Sequence, residues 1–317
     1  MFAALLDKIS LGIPSTYRNL TLTPILLRDG PLSAMEPMGL EEAIAEGTIR
    51  VTEVSAEGHV PELRVKNSGG TPVLILDGEE LIGAKQNRIV NVTILVAPQS
   101  EIVIPVSCIE AGRWAYSRPG FAAAGRVLNQ EIRYRKAEAV TRNLKERHTR
   151  FADQRAVWGG VDKTLFALGA ASPTSALSDG FESHANTIDG FLDAFKVQPA
   201  QIGVIYRIDG RFAGLDLFGS ETAFARAFSK LIRGSALQAL AGFDKDGSAQ
   251  LDDRPFLRAV LEAPADRFPA VGLGEEVRIE SDEIGGGALE LNGALVHLFA
   301  FRRTKPNHSG TNRRNAH

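Results

Sequence analysis

Cysteine is nearly absent from this 317-residue chain: Cys108 stands alone, so no intramolecular disulfide can form and no thiolate cage can hold a metal. Histidine is sparse as well. The six histidines (His59, His148, His184, His297, His308, His317) include no pair at HxxxH or HxH spacing, which argues against a zinc site built from local sequence. No apolar run is long enough for a transmembrane helix. The apolar start, residues 1–12, is broken by Asp7 and Lys8 and has no cleavage motif, so neither a signal peptide nor a membrane span is expected, and the cytoplasm is the expected compartment. Charge of one sign is also lacking. A net charge of −2 gives no field that would favour nucleic acid or an anionic membrane as partner.

What remains is an ordinary globular composition, 44% hydrophobic and 23% charged, with enough apolar residues for a large buried core. Residues 1–118 read as β-rich. Strands are expected at 19–27, 48–54, 61–66, 71–76, 85–96 and 101–110, with a short helix at 40–46 stopped by Gly47. That spacing predicts a β-sandwich-like or partly closed barrel half. Residues 119–200 read as helical, opening with a long helix to about Arg147 in which Leu128, Ile132, Val140 and Leu144 recur at multiples of four. Residues 201–302 read as α+β. Asp209-Gly210 and Asn292-Gly293, each between strand-like runs, predict two hairpins, and Ser220 is a candidate N-cap for a helix burying Phe224, Phe228, Leu231 and Ile232. The three parts are expected to pack as one α+β unit, followed by a disordered basic tail at 303–317.

Candidate chemistry is concentrated between residues 77 and 114. Three carboxylates (Asp77, Glu79, Glu80) precede two cations (Lys85, Arg88) and three amides (Gln86, Asn87, Asn91), all bracketed by core-type strand sequence. Charged residues are seldom buried unless paired, and strand ends are rigid places to build a site. The period-2 rule puts Val90, Val92, Ile94 and Val96 on one face of the first strand. Ile102, Ile104, Val106, Cys108 and Glu110 form the matching face of the second. With residues 97–101 as a hairpin connection, two registers are open. One sets Arg88 opposite Glu110 and Val90 opposite Cys108; the other, shifted by two, sets Arg88 opposite Cys108 and Gln86 opposite Glu110. Both gather Gln86, Arg88, Cys108 and Glu110 at one end of the core face, with Arg113 and Trp114 following directly.

Such a cluster has the parts needed to hold a phosphorylated or nucleotide-like small molecule. Arg88, Lys85 and Arg113 would neutralise an anion, Asn87, Asn91 and Gln86 would orient it, and Trp114 offers a flat face. Glu80 or Glu110 would transfer protons, Glu79 would contact ligand, and Cys108 is a candidate nucleophile beside Arg88. The acidic trio offers oxygen ligands to a hard cation, but nothing in the sequence requires a metal or names a cofactor. Gln154 and Trp158 are candidates to wall the site.

The run GEELIGAKQNRIVN (78–91), VSCIEAGRW (106–114), the segment 204–208 and RFAGLDLFGS (211–220) resemble the ARG and rhodanese-phosphatase-superfamily-associated protein domain family. The resemblance covers nearly the whole chain except the tail. It implies a link to ADP-ribose or NAD-derived metabolism, with ADP-ribosylglycohydrolase or phosphatase-like proteins as partners. It carries over Glu79, Glu80, Lys85, Gln86, Asn87, Arg88, Asn91, Cys108, Glu110, Arg113 and Trp114 as matching positions, without a defined reaction. Three readings follow: an enzyme acting on such a ligand, a non-catalytic sensor of it, and a structural protein whose polar cluster only braces the fold.

Two further signals are weak. Residues 244–252 imitate the start of an EF-hand loop, but Ala249 stands at the glycine position and Pro255 at that of the bidentate glutamate, so an ordinary turn is expected. Residues 126–150 carry eight Lys/Arg against three Glu, the pattern of a solvated helix face.

Overall fold

The computed structural model of the protein describes residues 2–55, 61–112, 120–242 and 252–303. Arg113, Trp114, the EF-hand lookalike up to residue 251 and the tail beyond Arg303 lie outside the described residues. The architecture is α+β, with three sheets and eight helices among the described residues: α1 (Leu5–Lys8), α2 (Leu40–Ala45), α3 (Gln130–Arg147), α4 (Gln154–Leu168), α5 (Leu177–Ser183), α6 (Ala185–Ala194), α7 (Glu221–Ala241) and α8 (Arg254–Glu262). No helix among them is long and apolar enough to cross a membrane.

The largest sheet has the order Ile9–Leu11, Leu20–Leu27, Gln201–Ile208, Arg211–Phe218, Ala294–Arg302, Ile284–Leu291, Glu275–Glu280, Ala265–Pro269, with Ser15–Tyr17 also paired to Leu20–Leu27. Its central strands are apolar on both faces because both are covered. Val204, Tyr206 and Ile208 point into a core shared with α4 to α7, while Ile205, Leu215 and Leu217 pack against α8. Both expected hairpins are present. Asp209 and Gly210 have φ of 52° and 75°, and Asn292 and Gly293 have φ of 53° and 78°, the two consecutive positive values this turn demands. Ser220 caps α7, its hydroxyl accepting from the Ala223 amide at 3.2 Å.

The second sheet, in the order Phe121–Val127, Glu79–Gly83, Arg88–Val90, Ser100–Cys108, Glu62–Asn67, Ile49–Glu53, is antiparallel and curls into a half-barrel. Its two edges approach each other: a β-carbon on Gly120 would come within 3.0 Å of the Val51 carbonyl. The inward face of Val51, Leu63, Val65, Leu81, Val90, Ile104, Val106 and Phe121 makes a separate core, which Leu40 and Ala43 of α2 and Val140 of α3 close. A small sheet, Ile94–Val96, Val73–Ile75 and Met38–Gly39, lies beside it.

Two expectations are corrected. The single strand 85–96 is two: Arg88–Val90 pairs with Ser100–Cys108, while Ile94–Val96 joins the small sheet through Val73–Ile75. Residues 97–101 therefore link different sheets instead of closing a hairpin, and the near end of Ser100–Cys108 pairs with Glu62–Asn67. The long helix also begins later. Residues 121–127 are a strand despite three alanines, bulged between Ala123 and Val127, with Gly125 at φ 68°, and α3 starts only after Asn129, whose side chain accepts from the Ile132 amide.

Candidate functional site

The antiparallel order places the ends of six strands at one mouth of the half-barrel. Glu53, Glu62, Gly83, Arg88, Cys108 and Phe121 all stand there. Of the two registers, the observed one sets Arg88 opposite Cys108 and Val90 opposite Val106. Because side chains alternate, Arg88 and Cys108 continue the inward apolar row of Val90 and Val106 and reach the mouth as its first polar residues.

Short polar contacts tie this mouth together. Arg88 Nη1 donates to Gln86 Oε1 at 3.1 Å. The Asn87 amide donates to Glu110 Oε2 at 3.1 Å, and Thr174 Oγ1 donates to Glu110 Oε1 at 3.1 Å, so both oxygens of that carboxylate are held. Gln154, at the start of α4, clamps the Cys108 main chain: its Oε1 accepts from Cys108 N at 2.9 Å and its Nε2 donates to Cys108 O at 2.6 Å. Burial pushes the Cys108 thiol pKa up, outweighing the pull of Arg88, with Glu53 and Glu110 raising it further. The thiol is therefore protonated at neutral pH, which disfavours it as a nucleophile.

One residue at the mouth escaped the sequence reading. Glu53 ends the edge strand Ile49–Glu53, two residues after inward-facing Val51, and its Oε1 lies 4.0 Å from Arg88 Nη2. Its side chain is 6% exposed, yet neither carboxylate oxygen has a hydrogen-bond partner among the described residues. A carboxylate so placed demands an explanation, since burial without hydrogen bonds costs several kcal/mol (roughly, for an ion). The signal available in sequence was a glutamate in phase with Ile49 and Val51, on the face that should be apolar.

The remaining candidates are carried elsewhere. Along the chain, the strand Glu79–Gly83 puts roughly 13 Å of extended backbone between Glu79 and the turn that holds Lys85, while across the ladder Leu81 stands opposite Arg88 and Glu80 opposite Ile89. Glu79 is buried at the far end, accepting from Lys230 Nζ at 2.6 Å and from the Leu76 amide at 2.9 Å. Lys230 also meets Glu41 at 3.0 Å; burial pushes its pKa down, but Glu79 and Glu41 outweigh this and raise it. Glu80 points to the opposite face, 2.5 Å from Arg126 Nε, and Arg126 stacks over Phe181 at 4.4 Å. Asn91 accepts from Ser107 Oγ at 2.9 Å and donates to the Arg150 carbonyl at 3.0 Å. Lys85 lies half-buried in the turn between Gly83 and Arg88.

Asp77 belongs to a second buried assembly that joins all three sheets to α3. It accepts from Lys136 Nζ and, at 3.3 Å, from Arg133 Nε. Arg133 in turn grips Asp216 through two bonds of 3.0 and 2.9 Å. Tyr206 donates to Asp216 at 3.0 Å, and His297 bridges Asp216 at 3.1 Å to Thr93 at 2.9 Å. Lys136 also donates to the Asn91 carbonyl at 2.7 Å. Burial lowers Lys136 to about 8, against the pull of Asp77. For Asp216 burial pushes upward, but Arg133 and His297 together hold the carboxyl at about 2.

These shifts fix the pH dependence of stability. The depressed Asp216 pKa contributes stability fully present above its unfolded value near 4 and lost as pH falls towards 2 (approximate unfolded value). The depressed Lys136 pKa has the same sign at higher pH: between about 8 and 10.5 the unfolded chain binds the extra proton, so this group also makes stability rise with pH. Urea titrations at pH 2.5, 5, 8 and 10 (roughly spanning both windows) should show a steep acid-side loss, and a small alkaline gain in wild type that Lys136→Met removes.

The fold defines an α+β protein built on a curled half-barrel with polar residues collected at one mouth. Within that class the chain belongs to the ARG and Rhodanese-Phosphatase-superfamily-associated Protein domain family, whose model matches residues 8–301. No curated protein and no solved structure matches it.

Proposed function

We propose that this protein is an enzyme acting on a phosphorylated, nucleotide-like small molecule of ADP-ribose-linked metabolism, and that it works at the Arg88 mouth of the half-barrel. The supporting observation is the buried Arg88 guanidinium lying between Gln86 and Glu53, opposite Cys108, with Glu110 fixed alongside by Asn87 and Thr174. Barrel mouths are common ligand sites, and a guanidinium in low dielectric meets phosphate oxygens bidentately. In this reading Arg88 and Lys85 neutralise the anion, Gln86 and Asn87 orient it, and Glu110 is the proton-transfer group. Glu80 is the weaker candidate for that role because Arg126 already engages it on the other face. The family's name supports a setting beside ADP-ribosylglycohydrolase and rhodanese-phosphatase proteins.

The test is a thermal-shift and turnover screen against ADP-ribose, NAD, nucleotides and sugar phosphates. A true ligand at a hundredfold excess over Kd should stabilise the protein by about 2.7 kcal/mol. Arg88→Met should abolish that shift, and Glu110→Gln should keep the shift while removing turnover. Binding without turnover in the wild type would favour a sensor. No stabilisation by any of the panel would leave the mouth, like the Asp77 assembly, as a brace.

A further inference from the structure

We infer that Glu53 is the hydroxyl-recognising group of this site, and that the ligand meets it with a ribosyl diol instead of its phosphate; this rests on the ligand site proposed at the Arg88 mouth. Glu53 has two buried oxygens and no donor to either among the described residues, although its neighbour Glu110 has a donor on each. An ionised carboxylate is acceptor-only, so its complement must supply hydrogens, and two unmet oxygens ask for two donors on adjacent atoms. An ionised phosphate brings none and would be repelled. A guanidinium or ammonium ligand would bring donors, but Arg88 already stands 4.0 Å away and would oppose a second cation. The class left is a neutral pair of donors, and a vicinal diol on a ribose ring has that form.

The position agrees with the chemistry. Glu53 sits on the edge strand, at the end of the inward row Ile49, Val51, Glu53, while Arg88 occupies the middle of the same curled sheet. A sugar phosphate spanning the mouth would therefore place hydroxyls at the edge and phosphate towards Arg88 and the Lys85 turn. The carboxylate would gain the hydrogen bonds its burial lacks, and hydrogen bonds to a charged group are the stronger kind. Glu53 is in this view a specificity residue: it selects ribose over deoxyribose.

Calorimetric titration with ribose 5-phosphate and 2-deoxyribose 5-phosphate tests this on the full-length protein. The wild type should bind the ribose form about 10- to 100-fold more tightly, the range expected for one hydrogen bond to a charged group. Glu53→Gln weakens and Glu53→Ala removes that discrimination, bringing the two affinities within about threefold in the alanine variant while phosphate-dependent binding persists. Equal wild-type affinities for the two sugars would overturn the inference while leaving the ligand site standing, as would an alanine variant that still discriminates. Absence of binding by either sugar phosphate and by ADP-ribose would overturn both. The wild-type ratio is read without any variant, so the test does not depend on how well the substituted proteins fold.

Discussion

Asp216→Ala should lower the unfolding free energy by about 3–5 kcal/mol, the usual loss when one partner of a buried ion pair is removed. The size follows from what the substitution strands. Arg133 is wholly buried, and two of its bonds go to Asp216; the Tyr206 hydroxyl and His297 Nε2 also turn to that carboxylate. Burial alone would lower the Arg133 pKa, and Asp216 more than reverses this. Without the carboxylate, the acid left to Arg133 among the described residues is Asp77 at 3.3 Å, which Lys136 shares, beside the rings of Phe299 and Phe301. Chemical denaturation at pH 7 is the measurement, and the deficit should shrink in Asp216→Ala/Arg133→Met, because that pair removes both the charge and its need for a partner. A loss under about 1 kcal/mol for the single variant would mean that water relieves Arg133 and that the assembly does not hold the sheets together.

Local rules carried much of this fold into the sequence. The Asp209-Gly210 and Asn292-Gly293 turns and the Ser220 cap are decided within a few residues, so they are legible from a few residues. The pairing of Arg88 with Cys108 was legible because alternation limits the choices to registers two apart. Where sequence neighbours part company, the reading failed. Residues 85–96 look like one strand because Val90, Val92, Ile94 and Val96 keep phase, yet a break after Val90 sends the two halves to different sheets. The alanines of Phe121–Val127 favour helix by propensity, and pairing with Glu79–Gly83 overrides it.

The polar constellation illustrates the same point. Asp77, Glu79, Lys85 and Arg88 are close in the chain, but the strand after Glu79 carries Lys85 away to the turn, and Arg88 returns opposite Leu81 with Gln86 and Glu53 as its contacts. Their partners come from far away: Arg133 and Lys136 from α3, Lys230 from α7, Glu53 from the edge strand. Lys136 was visible in principle. It occupies the missing step in the stripe Leu128, Ile132, Val140 and Leu144, and a lysine in that phase must be buried and paired. Which acid pairs with it is a tertiary fact that no local pattern holds.

Glu79→Ala should therefore be the second costly substitution, at about 3–5 kcal/mol, more than its chain neighbour Lys85→Ala should cost. Glu79 satisfies both the Leu76 amide and the buried Lys230 ammonium, whereas Lys85 is half-buried in a turn. In the variant, Lys230 keeps only Glu41, itself partly exposed, and burial then pulls the lysine pKa below its unfolded value of about 10.5. The sign of the pH response reverses accordingly. In wild type the raised Lys230 pKa stabilises the fold until pH passes above it; in Glu79→Ala the unfolded chain binds the proton more readily, so stability climbs as pH approaches 10.5. A stability deficit that narrows between pH 7 and about 10 would assign Glu79 to bracing. A flat deficit would show Lys230 adequately served by Glu41. Ligand affinity measured on the folded fraction should be unchanged by Glu79→Ala and reduced by Lys85→Ala, because the two residues stand at opposite ends of the same short strand hairpin.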